Sequence, residues 1–248
     1  MCHLNNTLEP KFMNKTSRLL EWIEQQKQDV KLGGYHAPAH CRAVSRVAII
    51  IPYRDRRLNL SILLRYLHSI LKKQLLEYRI FVIEQYGKEK FNKGILYNIA
   101  FLETQRFGTW NCLIFHDVDL IPEDERISYS CAEHPTHMSP AVESSDNIVP
   151  YRSIFGGVTA LSPKQYESVN GYSNLYWDSG AEDDDFYQRI QSQNYTVMRY
   201  NSSIARYAAP TLQINEVGKE RSLLFAMSKL RAQKDGLTTL KYNLINVT

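Results

Sequence analysis

Asn111-Cys112-Leu113-Ile114-Phe115-His116-Asp117-Val118-Asp119-Leu120-Ile121-Pro122 is the stretch on which the reading of the chain turns. Its apolar run, Cys112 to Phe115, is bounded by turn signals and reads as a short buried strand, and Pro122 argues that regular structure ends there. Asp117 and Asp119 then stand one residue apart at the carboxyl end of a core strand. In an open α/β sheet that end is where ligands bind, and paired hard oxygen ligands suit Mg²⁺ or Mn²⁺ better than soft metals. The plainer reading is that the two carboxylates cap the loop or the next helix. A D-x-D alone does not choose between these.

Upstream, Val47-Ala48-Ile49-Ile50-Ile51 is a continuous apolar run stopped by Pro52, the mark of a strand buried on both faces. Arg54, Asp55, Arg56 and Arg57 follow, and then Leu60, Leu63, Leu64, Leu67, Ile70 and Leu71 recur at helical spacing. Strand, basic turn and helix is the arrangement of a phosphate site, because guanidinium forks and a helix N-terminus both favour anions. A solvated charged turn fits the same residues. A second apolar run, Ile80-Phe81-Val82-Ile83, leads to Glu84 and Gln85, and Ile95, Leu96, Ile99 and Leu102 give Asn92 to Arg106 a helical period. This βαβαβ alternation predicts a largely parallel sheet flanked by helices.

Downstream the pattern loosens until Phe155-Gly156-Gly157-Val158-Thr159-Ala160-Leu161, whose paired glycines suit either close approach of backbone to a ligand or plain core packing. Then Tyr176-Trp177-Asp178-Ser179-Gly180-Ala181-Glu182-Asp183-Asp184-Asp185 runs into a short helix through Phe186 and Ile190. The dipole stabilises acids at a helix start. Four adjacent like charges nevertheless repel, and capping needs only one or two, so the excess points to a functional carboxylate.

Composition limits the remaining classes. At 248 residues and 44% hydrophobic, the chain supports one large α/β domain or two small ones, and a formal charge of +4 not gathered into long runs gives no nucleic-acid footprint. No segment approaches the roughly 18 to 20 apolar residues needed to cross a bilayer, and the first 30 residues lack a signal-peptide pattern. Met1 is thus the start of a soluble protein or the edge of a fragment. Residues 1–45 read as a polar N-terminal arm with an amphipathic stretch around Leu19 to Ile23 and a turn at Gly33-Gly34. Cys2, Cys41, Cys112 and Cys131 include no C-x-x-C pair and no zinc spacing, and their even number permits two disulfides without requiring them. Six N-x-S/T sequons, at Asn5, Asn14, Asn59, Asn194, Asn201 and Asn246, point towards the secretory pathway, although chance accounts for several.

Together these pieces resemble the β-1,4-galactosyltransferase family of inverting Golgi glycosyltransferases, from Gly33 to about Tyr242. The resemblance rests on Val47 to Arg56, Phe91-Asn92-Lys93, Asp117 to Pro122, Phe155-Gly156-Gly157-Val158, Trp177 to Asp185 and Asp235-Gly236-Leu237. It implies one GT-A nucleotide-sugar domain with a mostly parallel mixed sheet over residues 46–248, whose donor-binding half is about 46–122 and acceptor-binding half about 123–248. It also implies transfer of galactose or N-acetylgalactosamine from a UDP-sugar to a terminal N-acetylglucosamine-type acceptor. By that match Pro52, Tyr53, Arg54, Asp55, Arg56, Phe91, Asn92 and Lys93 hold the uridine diphosphate, with Lys93 where mammalian members carry arginine. Val118 lines the nucleotide site, Asp119 ligates Mn²⁺, and Ile154, in place of a tyrosine, faces the donor's C2 substituent. Tyr151, Trp177, Gly180, Ala181 and Glu182 face the acceptor, and Asp183 is the general base. The chemistry asks for such groups: inverting transfer needs a base for the acceptor hydroxyl and a cation for the departing diphosphate.

The same resemblance pairs Cys112 with Cys131 and Cys2 with Cys41, in an oxidising Golgi lumen, with any membrane anchor outside this sequence. It also exposes departures. Ser179 replaces a second tryptophan, Ala181 replaces a glycine, and Ala208-Ala209-Pro210-Thr211-Leu212 lacks the methionine and histidine that complete the family's metal site. The expectation is therefore weak Mn²⁺ binding on an incomplete ligand set. The rival reading is a catalytically silent member that binds a sugar or a partner.

Overall fold

The computed structural model describes residues 1–2, 31, 33–143, 151, 153–178, 180–209 and 219–248. The amphipathic stretch Leu19 to Ile23, Ser179 and Pro210 to Leu212 lie outside the described residues. In chain order the elements are β1 (Tyr35–His36), β2 (Arg46–Tyr53), α1 (Arg57–Lys73), β3 (Glu77–Glu84), α2 (Lys93–Thr104), β4 (Cys112–His116), β5 (Ile121–Pro122), β6 (Thr136–His137) and β7 (Ala141–Val142). They continue with β8 (Val158–Leu161), α3 (Pro163–Ser168), α4 (Glu182–Ser192), β9 (Met198–Arg199), β10 (Arg206–Ala208), α5 (Lys219–Ala226) and α6 (Ser228–Arg231).

The main sheet runs β1-β3-β2-β4-β8-β6-β9, and a smaller one runs β5-β10-β7. β2 lies parallel to β3 on one side and to β4 on the other, whereas β8 returns antiparallel to β4 with His116 opposite Val158. The carboxyl ends of β2, β3 and β4 therefore share one edge with the amino end of β8. Turns that are far apart in sequence, 54–56, 85–92, 117–119 and 154–157, are delivered there together.

Side chains alternate across a strand, and β2 uses this to join two cores. Val47, Ile49 and Ile51 meet Leu63, Leu67, Ile70 and Leu71 of α1 on one face. Ala48 and Ile50 meet Tyr97, Ala100 and Phe101 of α2, and Phe186 and Ile190 of α4, on the other. Burial on both faces accounts for an unbroken apolar run where a half-exposed strand would alternate.

Two prolines depart from expectation. β2 does not stop at Pro52 but continues through it to Tyr53, because β4 pairs only as far as Ile50 and the missing N–H falls where β2 has a neighbour on one side alone. Pro122 likewise belongs to a strand, β5, at the edge of the small sheet opposite Tyr207. The N-terminal arm also contributes to the sheet: β1 pairs antiparallel with β3. Disulfides join Cys2 to Cys41 and Cys112 to Cys131, with Cα separations of 5.1 and 5.3 Å.

Candidate active site

At the shared edge, one ammonium group collects three carboxylates. Lys93 starts α2, and its Nζ lies 2.7 Å from Asp183 Oδ2, 3.0 Å from Glu182 Oε1 and 3.7 Å from Asp117 Oδ1. The helix begins there because Asn92 caps it, its side chain accepting a hydrogen bond from the Ile95 N–H at 2.9 Å. The other end of that amide donates to the Asn174 carbonyl. Asn92 thus spends its side chain on building the site, while Lys93 faces into it.

Three carboxylates around one cation leave negative charge in excess, and most of the site is withdrawn from water. Burial pushes the Asp183 carboxyl up to about 7 against the opposing pull of Lys93, with Glu182 and Asp117 adding to the rise. Burial raises Asp117 to about 6 in the same way, opposed by Lys93 and reinforced by Asp119 and Glu182. Glu182 goes the other way. Its burial is outweighed by Lys93 and by the Gly180 N–H, which donates to Oε2 at 2.7 Å, so it is held below the usual range. The desolvation of Lys93 is outweighed by its three acids, and its ammonium form persists well above the ordinary value. One of the clustered acids is held firmly ionised while another is poised near neutrality, as a general base requires.

Two tyrosines complete the support. Tyr97, one turn after Lys93 on α2, donates its hydroxyl to Asp117 Oδ1 at 3.1 Å, and Tyr172 donates to Asp183 Oδ1 at 3.4 Å. Both rings are buried and stack into the second core. They were missed from sequence. Tyr97 carried a signal, the i, i+4 spacing from Lys93; Tyr172 carried none.

The paired glycines both pack against the protein itself, one of them against an acid of the site. A Cβ on Gly156 would sit 2.2 Å from Asp183 Oδ2, so only glycine lets the carboxylate lie against the backbone there. Gly157 has φ +72 and packs on Leu120 and Ser139, and its carbonyl accepts from the Asp117 N–H at 2.9 Å. The loop before β8 thereby touches both acidic turns. His116 fixes the same turn from below: its Nδ1–H donates to the Asp117 carbonyl at 2.9 Å, which leaves Nε2 to accept from the Tyr129 hydroxyl at 3.1 Å. Burial holds this ring neutral, with its pKa lowered to about 4.

Asp119 is half-buried at the far side of that turn. Burial raises its carboxyl too, and the cations that oppose the rise are Lys93 and Arg56, which brings the D-x-D and the basic turn into one field. Among the described residues no group of three or more His, Cys, Asp and Glu forms a metal cage. The donor set that remains, one exposed-side carboxylate of hard oxygen, suits a dication that draws other ligands from a bound diphosphate and water. Val118 packs against the first core.

The basic turn is only partly directed at the edge. Arg54 lies over the Phe91 ring at 5.4 Å and donates to the Glu89 carbonyl at 2.5 Å. Asp55 is exposed with φ +52, and Tyr53 and Arg56 are half-buried beside the buried Pro52. Ile154 is half-buried, and its carbonyl accepts from Arg199 at 2.7 Å. On the opposite side, Trp177 is 42% exposed and Tyr151 46% exposed. Asp184 is bonded to Tyr151, which is why its carboxyl does not join the Lys93 cluster. Gly180 and Ala181 lead into α4, and Ala181 adopts φ +69, a left-handed conformation that costs a non-glycine residue about 1–2 kcal/mol.

Asp185, the last of the four acids, turns away from the edge. It is fully buried and pairs with Arg189, one turn on, at 2.6 Å, while Arg189 also reaches the Asp235 carbonyl at 2.6 Å and its carboxylate at 3.2 Å. Arg231 bridges both acids and touches Tyr176. This network anchors α4 to α6 and the Asp235 turn. Asp185–Arg189 also has i, i+4 spacing, but Asp235 and Arg231 offered no local cue.

Known proteins match the chain over most of its length. Residues 3–132 match the family described as the N-terminal region of glycosyl transferase group 7, and residues 136–211 match the N-terminal domain of galactosyltransferase. β-1,4-Galactosyltransferase 4 of Cricetulus griseus is 40% identical over 232 residues, covering 92% of this chain and 67% of its own length. In structure, the catalytic domain of Drosophila β-1,4-galactosyltransferase 7 with xylobiose superposes with a TM-score of 0.71 at 26% identity, over 83% of this chain and 88% of that one. A mutant of the same Drosophila enzyme with manganese, UDP-Gal and xylobiose gives 0.70 at 25%, with the same coverage.

Proposed function

The chain belongs to the β-1,4-galactosyltransferase family and is a galactosyltransferase, and from that premise we propose that Asp183 is the base of an inverting transfer from a UDP-sugar to an N-acetylglucosamine-ended glycan. What carries this reading is the position of Asp183: a half-buried carboxylate raised to about 7, lying against Gly156 at the edge where the D-x-D turn and the basic turn meet. It takes the proton of the acceptor hydroxyl as that oxygen attacks the anomeric carbon, while Glu182 stays ionised to accept hydrogen bonds from the acceptor sugar. Lys93 releases Asp183 and turns to the diphosphate when the donor enters, with Pro52 to Arg56 and Phe91 forming the rest of the nucleotide site and Asn92 supporting it from behind through its cap on α2. Trp177, Tyr151, Gly180 and Ala181 border the acceptor.

A divalent metal fits beside Asp119, and the group supplies charge neutralisation for the departing diphosphate. Mn²⁺ then binds weakly until UDP is present, and calorimetry finding tight binding to the nucleotide-free protein would overturn this. The silent alternative is not favoured, since the relatives and the superposed structure are galactosyltransferases. Golgi lumen is the compartment that agrees with both disulfides. No described helix is long and apolar enough to cross a membrane.

Ile154 sets the donor. Its apolar side chain leaves room for the acetyl methyl of N-acetylgalactosamine where the family's tyrosine brings bulk and a hydroxyl, and a methyl-sized contact is worth about 1 to 3 kcal/mol, roughly 10-fold to 200-fold in selectivity. A transfer assay with and without Mn²⁺ is expected to give UDP-N-acetylgalactosamine a kcat/KM at least equal to that of UDP-galactose, with Ile154→Tyr reversing the order. A clear galactose preference in the unaltered chain refutes this assignment.

A further inference from the structure

Two of the six sequons occupy places in the fold that the transfer site does not use. Asn194, in Asn194-Tyr195-Thr196, follows α4 directly, where its left-handed φ of +58 lets its N–H donate to the Gln191 carbonyl at 2.9 Å. Asparagine tolerates that conformation better than most residues. Asn194 and Thr196 are both exposed, and the Asn194 side chain makes no hydrogen bond with any described residue. Asn201, in Asn201-Ser202-Ser203, opens the turn between β9 and β10, and all three residues are exposed. Its Oδ1 accepts from the Ser203 N–H at 2.9 Å and its backbone carbonyl from the Ala205 N–H at 2.9 Å. That turn uses the amide oxygen and leaves Nδ2 pointing at no partner.

The two asparagines bracket one element. β9 is the outermost strand of the main sheet among the described residues, paired with β6 alone, and Met198 on it is 40% exposed. Open sheet edges invite a strand from another chain and are usually blunted. Asn59 offers a contrast. It lies half-buried in the first turn of α1, beside the basic turn, with the Ser61 hydroxyl donating to the Leu58 carbonyl at 2.8 Å. A glycan there would stand over the nucleotide site.

We propose that Asn194 and Asn201 are N-glycosylated and that their glycans shield the outer edge of the main sheet. The proposal rests on the luminal location given above, which a chain reaches through the endoplasmic reticulum, where the transferring enzyme and its lipid-linked diphosphate oligosaccharide donor reside. In the reaction the anomeric C–O bond to the lipid diphosphate breaks and a C–N bond forms to Asn Nδ2. The amide gives up one proton, and the lipid diphosphate departs with the bonding electron pair. Oδ1 keeps its lone pairs, so the Asn201 turn survives the modification.

The test is to express the chain behind a secretion signal in insect cells, release glycans with peptide N-glycosidase in H₂¹⁸O, and map labelled aspartate by mass spectrometry. Label at both positions is expected, and Asn194→Gln and Asn201→Gln should each remove one glycan. Thr196→Ala and Ser203→Ala should do the same while leaving both asparagines in place, which guards against a folding artefact. The doubly deglycosylated variant should keep its transfer kcat/KM but self-associate in size-exclusion chromatography. Unlabelled asparagine at either position in the secreted, disulfide-bonded protein overturns the assignment, and a variant that stays monomeric overturns the shielding. Transfer activity measured on the same material reports on the proposed function separately: an active but unglycosylated protein defeats only this inference, and a glycosylated but inactive one defeats only that function.

Discussion

The helix α4 carries two acid clusters with opposite accounting. At its front, Asp183 and Glu182 join Asp117 around the single cation Lys93. At its back, Asp185 and Asp235 face two cations, Arg189 and Arg231. Three to one leaves a charge deficit, and two to two closes. Both places are withdrawn from water, where an unpaired charge is expensive, so the difference separates a frustrated site from a satisfied scaffold. Local rules are broken at the proposed site and obeyed at the other end of the same network of acids. The back cluster holds the helix rigidly enough for the front one to remain uncompensated.

Breaking the balanced side should have the largest effect. Arg189→Met strands Asp185 beside a cation already shared with Asp235, and loss of one partner from a buried network costs about 3–5 kcal/mol. Against a typical total of about 5–15 kcal/mol, urea denaturation should show a severely destabilised protein. An unchanged midpoint would mean that the network contributes nothing. Asp183→Asn, on the unbalanced side, should lower turnover by about 10² or more while leaving UDP binding nearly unaltered. Unchanged turnover sinks the assignment of the base.

The pH dependence sharpens the contrast further. Since Asp183 must be ionised to act, kcat/KM should rise about tenfold per pH unit below about 7 and level off above it. Stability runs the opposite way. A carboxyl raised to about 7 binds its proton more tightly when folded than its unfolded value of about 3.8 allows, so this group's contribution is complete below about 4 and is lost as pH rises through about 7. Asp183→Asn should remove that slope from the difference in unfolding free energy, and a slope that persists would place the titration elsewhere.

The skeleton of the fold was legible because its signals are local. The β-branched run of β2, the period of α1 and the D-x-D turn each occupy adjacent residues, and parallel strands joined by helices follow from their order. β6, β7 and β9 were not legible, since two residues cannot display a period. The reversal of β8 was hidden for another reason: Gly156-Gly157 announces a turn without giving its direction. At the site, sequence supplied the acids but not their division. Which of four consecutive carboxylates faces Lys93, Tyr151 or Arg189 depends on helix phase and on partners such as Asp235, 50 residues beyond Asp185.

The antiparallel return of β8 also orders events in time. β4 is complete at His116, but the strand that covers its outer edge ends at Leu161, 45 residues later. At about 5–20 residues per second of synthesis, that edge waits roughly 2 to 9 s with unpaired amides and the apolar run Cys112 to Phe115 behind it. Cys131 emerges within this interval and can tie the segment after the D-x-D turn to Cys112 before β8 exists. The bridge thus belongs to the nascent chain as well as to the finished enzyme, and delaying oxidation until synthesis is over should divert more chains to aggregates than reducing the folded protein does.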